Sequence, residues 1–144
     1  MHSIVYGVGV YNSVIITRMI NTTCNAFFSL TKYIGSETDH KHVHKQLCDL
    51  DLEYKVSIIN ELVKDCCNND NELIHKAVLG LNDILGKINK ELQQIDELIR
   101  NHSKKYFNSW RDFNCDGLID EIKHHKKILE ERYKILIDLL NLYK

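Results

Sequence analysis

Three histidines and a cysteine sit close together in this 144-residue chain, at His40, His42, His44 and Cys48. His40, His44 and Cys48 are four apart, so a helix would stack them on one face. Imidazole nitrogen and thiolate sulfur are donors that zinc accepts. Folding would have to bring a fourth ligand from Cys66, Cys67, His124 or His125. No short-spaced Cys/His pattern supports a closed site. The same residues also read as the polar, solvated first turn of a helix, with a charge that responds to pH.

A second group alternates oxygen donors along the chain: Asp112, Asn114, Asp116, Leu118 through its main-chain carbonyl, and Asp120, with Gly117 among them. The stretch resembles an EF-hand or dockerin-type calcium loop, in which these residues fall at positions 1, 3, 5, 7 and 9 and the glycine at position 6. The resemblance spans 12 of the 144 residues. It departs from the pattern at position 12, where Lys123 replaces the bidentate carboxylate and opposes a divalent cation. No second loop is present to pair with it. What the resemblance implies is a degenerate metal-binding regulator. Read alone, the same residues form a turn in which Asp116 caps the following helix and Gly117 helps the bend.

Catalytic signatures do not appear. There is no Gly-rich phosphate loop, no G-x-S-x-G and no H-E-x-x-H. The acidic residues stand beside lysines on helix faces, as from Glu91 to Asp96 and at Glu130-Glu131, a pattern expected of a solvated exterior. His124-His125 followed by Lys126-Lys127 reads as a small basic surface patch. The expectation is a protein that is not an enzyme, with no catalytic residue and no cofactor.

Composition narrows the class further. Net charge is −1, which argues against a main role in neutralising nucleic-acid phosphate, so no nucleic-acid partner is expected. Apolar residues make up 44% and charged residues 27%, enough of the former to build a core. There is no proline, which suits long unbroken helices. Fifteen lysines against four arginines, with abundant Asn and Ile, suggest an AT-rich genome such as that of a parasite, a protist or a large virus. The five cysteines are odd in number and lack a C-x-x-C pair, which favours an intracellular, reducing compartment.

The first 36 residues carry only two formal charges, Arg18 and Lys32. Their uncharged runs, 15 and 13 residues long, fall short of the roughly 18–20 a spanning helix needs. No basic start or cleavage site marks a secretory leader, so the segment is expected to remain in the mature protein. Residues 3–34 therefore read either as a core helix or as an interfacial one that makes the protein membrane-peripheral.

The elements that must position these groups are helical. Ile4, Val8, Tyr11, Ile15 and Met19 recur at steps of three and four, although Tyr6, Val8 and Val10 alternate like a strand. Ser36 reads as the cap of a second helix. That helix has two apolar stripes: Val43, Leu47, Leu50, Tyr54, Ile58 and Leu62, then Leu52, Val56, Ile59 and Val63. Their combined width predicts burial on two sides and a central place for its Leu50–Cys66 half. The Asn68–Asn71 stretch is a loop. Then Ile74, Val78, Leu81, Leu85, Ile88, Leu92, Ile95 and Ile99 alternate steps of four and three without a miss, a 3.5-residue seam about 40 Å long. Ala77, Ile84 and Leu98 widen it. Ile119, Ile122, Leu129, Tyr133, Leu136, Leu140 and Tyr143 carry a matching heptad near the C-terminus, with Lys126 as its one polar member.

The expected fold is all-α: an elongated bundle of four main helices over about 11–33, 37–66, 72–100 and 118–142, with a short aromatic-rich helix near 104–111 around Tyr106 and Trp110. A single helical domain of 1–144 is expected, with the apolar 1–35 segment packed on or adjoining the 36–144 bundle. The function expected of it is interaction or scaffolding, as a structural or accessory component of a virus or parasite, through protein partners among which a second copy of itself is one candidate, the seam of 74–99 having partners within its own chain. A membrane-active bundle using the N-terminal helix and a calcium-type regulator are the alternatives.

Overall fold

A computed structural model describes residues 2–36, 40–66, 68–104 and 114–143, with side chains described from Ser13 onward in the first helix and up to His102 in the fourth. Every regular element among them is an α-helix: α1 (His2–Ser36), α2 (Lys41–Asp49), α3 (Leu52–Lys64), α4 (Glu72–Lys104) and α5 (Asp116–Leu142). The expected short helix at 104–111 falls, past Lys104, outside the described residues.

α1 starts at His2, so the strand-like alternation near its beginning is helical. From Ser13 on, Ile16, Ile20, Cys24, Phe27 and Ile34 are buried in the common core. The helix holds few charges, yet its hydroxyls are satisfied locally. Thr17 donates to the Ser13 carbonyl at 2.7 Å and Thr31 to that of Phe28 at 3.1 Å. Ser36 closes the helix by donating to the Tyr33 carbonyl at 2.6 Å. It is therefore the last residue of α1, not the cap of the next helix.

The predicted 37–66 helix is two helices. Asp51 stands at φ 56°, in the left-handed region, between α2 and α3. That conformation costs an L-residue roughly 1–2 kcal/mol, and Asp tolerates it better than most. The break resolves a conflict in the sequence. Leu50 and Leu52 are two apart, on opposite sides of any straight helix, yet they are 6% and 4% exposed here. The first stripe belongs to α2, through Val43 and Leu47, and the second to α3, through Val56, Ile59 and Val63. Beyond the kink the first stripe is left outward, with Tyr54 65% exposed. The Leu50–Cys66 half is thus peripheral, and α4 is the central element.

All eight seam residues of α4 are buried, each worth roughly 1.5–3 kcal/mol. The Asn-rich loop starts the helix. Asn71 Oδ1 accepts from the N–H groups of Leu73 (2.9 Å) and Ile74 (3.3 Å), and Asn69 Oδ1 from that of Asn71 (2.8 Å).

α4 packs most extensively against α1 and α5. Thr23 meets Asn82 and Asn89, and Tyr33 meets Arg100, so α1 and α4 run parallel. Gly80 meets Arg132 and Glu91 meets His125, so α5 runs antiparallel to α4. α3 lies on α1 and reaches α5 through a Lys55–Glu130 ion pair at 2.9 Å. The circuit α3–α1–α4–α5 is closely packed on three sides and open on the fourth, between α3 and α5.

Candidate functional site

Asn114 Oδ1 accepts the Asp116 N–H at 2.8 Å, an Asx turn that feeds the chain into α5. Asp116 is the first residue of that helix, and the side-chain cap expected of it is not made. Leu118 and Asp120 lie in its opening turns, Leu118 partly buried against the core and Asp120 exposed. The calcium-like residues from Asn114 to Asp120 therefore carry the start of a helix, and Asp112 lies outside the described residues.

His44 and Cys48 do share a face, with the sulfur 3.5 Å from His44 Nε2. His40 turns elsewhere. It precedes α2, is 4% exposed, and has its ring centroid 5.2 Å from that of His102 and 6.3 Å from that of His42. This end of the bundle is tight: a Cβ on Gly35 would stand 2.8 Å from His44 Cε1. Among the described residues, no three His, Cys, Asp or Glu side chains group so as to hold a metal ion.

Burial pushes the Cys24 thiol up to about 11. The Cys115 thiol is raised by burial and then by Asp116, and the Cys48 thiol by partial burial with Glu53 and Asp49 nearby. All three are held toward the unreactive protonated form.

Two polar groupings flank α4, and one of them lies where the sequence suggested surface. On the α5 side of α4, Glu91 is 5% exposed and its Oε1 is hydrogen-bonded to His125 Nδ1. Burial raises the Glu91 carboxyl above its ordinary range, against the opposing pull of His125. The expectation of a solvated Glu91–Asp96 face and a surface His124-His125 patch is thus corrected at Glu91 and His125. A signal was present. Ala77, Ile84 and Leu98 fall at steps of seven, and Glu91 fills the missing step. In α5, Leu118, His125, Arg132 and Leu139 make the facing column.

On the α1 side, the Thr23 hydroxyl donates to Asn82 Oδ1 at 2.6 Å, with the Met19 carbonyl at 2.9 Å as alternative acceptor. Asn89 Nδ2 donates to the Thr23 carbonyl at 3.0 Å. His75, Asn82, Asn89 and Asp96 form this second column of seven.

Between α3 and α5 the open side holds a groove of about 410 Å³. Ile59 and Leu129 form its floor, and Tyr54, Ile58 and Tyr133 its walls, with the Lys55–Glu130 pair across it. Among the described residues no helix is long and apolar enough to cross a membrane.

No protein-family model and no solved structure matches the chain. Over 162 aligned positions it is 26% identical to the uncharacterized protein L717 of Acanthamoeba polyphaga mimivirus, covering 91% of this chain and 76% of that protein. The chain is thus similar to a viral protein along nearly all of its length.

Proposed function

We propose that this chain is a non-enzymatic helical interaction protein, an accessory or structural component of a virus, that receives an amphipathic helix of another protein in the groove between α3 and α5. The groove carries the reading. It is about 410 Å³ of mainly apolar space flanked by two helices that run alongside it. That is within the size range of sites that bury ligands, and it suits the insertion of a helix through anchors at i, i+3 and i+7. The rim carries one cation and one anion, Lys55 and Glu130, so recognition falls on apolar anchors and the two tyrosines. The likeness to a mimivirus protein supports the viral setting. In this reading the protein works in a reducing compartment, where the exposed Cys48 stays a thiol.

A photoreactive residue at Ile58, which is 38% exposed, tests the groove. Irradiation in cells that naturally make the protein is expected to yield one dominant adduct with a different protein. Tyr54→Glu, at an exposed position that leaves the core intact, should reduce that adduct at least tenfold. Adducts with a second copy alone, no adduct, or an adduct indifferent to Tyr54→Glu would each overturn the reading.

A further inference from the structure

The α4–α5 interface contains two groups that usually stay in water. Glu91 has a side chain only 6% exposed, while that of His125 is 22% exposed and reaches solvent. Glu91 Oε1 is bonded to His125 Nδ1, and Glu91 Oε2 is enclosed with no hydrogen-bond partner among the described residues. A buried carboxylate in that position is costly unless a proton stays with the pair. α5 is the element packed on this flank. It presents three titratable groups that act on Glu91: His125, His124 and Glu121. On α4 itself, Lys87 lies one turn earlier and is 3.8 Å from Asp83.

We infer that Glu91 and His125 form a proton latch, in which one proton held between them fastens α5 to α4 and its loss as pH rises loosens that contact. With the proton, the pair is either a carboxylate beside an imidazolium or a carboxylic acid beside an imidazole, and carries no net charge. Without it, an enclosed carboxylate faces a neutral ring, and Glu121 adds a second negative charge nearby. The direction follows from linkage. A carboxyl raised above its unfolded value contributes stability that is fully present below about 4.5 and is lost as pH rises through the raised value. α5 is therefore held most firmly in mild acid. Because α5 also forms one wall of the α3–α5 groove, the latch sets whether that groove exists as a unit.

Hydrogen exchange resolved by residue and corrected for intrinsic rates tests the latch without any partner, so its failure is separate from failure of the proposed function. In the wild type, protection of amides 119–132 is expected to fall at least tenfold more than that of amides 16–27 in α1 between pH 5.5 and 8.5. In Glu91→Gln, which keeps a hydrogen-bonding group but cannot ionise, the two segments should change in step within threefold. A wild type without the difference, or a Glu91→Gln variant that retains it, overturns the latch. Should Glu91→Gln not fold, the carboxyl carbon shift of Glu91 in the wild type decides. It is expected to titrate above 4.5. A carboxyl titrating at or below 4.5 sinks the idea.

Discussion

The two flanks of α4 solve the same problem with different chemistry. Both border one apolar seam, and both set polar groups at heptad positions that a neighbouring helix must match, a whole column from His75 to Asp96 on one side and Glu91 alone among Ala77, Ile84 and Leu98 on the other. Toward α1 the matching groups are amides and a hydroxyl, Asn82 and Asn89 against Thr23. Toward α5 they are an acid and a base, Glu91 against His125, with Arg132 donating to the Gly80 carbonyl at 2.8 Å. Buried polar groups in a heptad seam fix register at some cost in stability. Amides do so independently of pH. An acid and a base tie register to proton concentration, so α1 is expected to be a fixed partner of α4 and α5 a conditional one.

The largest break in that comparison comes from removing the base. His125→Ala leaves Glu91 enclosed with no counter-group, and is expected to cost about 2 kcal/mol at pH 8. At pH 5 the loss should be visibly smaller, because Glu91 can take up a proton instead. Adding Glu91→Leu should recover at least half of the loss at pH 8, since an apolar residue needs no partner there. Urea denaturation of the wild type and both variants at the two pH values measures these costs. An equal loss at pH 5 and pH 8 would mean that the imidazole contributes packing alone.

The α1 flank should respond differently. Asn89→Ala removes the hydrogen bond to the Thr23 carbonyl from a position 8% exposed. The expected cost is about 1 kcal/mol. It should be the same at pH 5 and pH 8, because neither partner titrates. A cost that grows with pH on this side would erase the distinction between the flanks.

How much of this was legible depended on the kind of signal. The α4 seam was readable in full because eight apolar residues keep one period. The break at Asp51 was not, because it rests on a single left-handed residue that the periodicity of its neighbours does not encode. The two stripes around it are plain in the sequence, and only the kink shows that they belong to different helices. By residue type Glu91 and His125 look like surface charges, while their heptad positions place them at an interface. The calcium-like loop shows the converse. Its residue types suggest a cation, while Asn114 is engaged with the backbone at the start of α5.

Gly86 offers the smallest effect and the most direct control. It lies on the exposed side of α4, where an added Cβ would meet nothing within 4 Å. Gly86→Ala touches neither flank and changes only the helix propensity of their shared element. The expected gain is about 0.5–1 kcal/mol at both pH values. If α4 is one continuous scaffold for both partners, exchange protection should rise by a similar factor in α1 and in the α5 residues near His125. A gain confined to α1 at pH 8 and shared with α5 at pH 5 would be informative in its own right. It would show that α5 has already separated from α4 when the proton is gone, and that the difference between the flanks is one of coupling as well as strength.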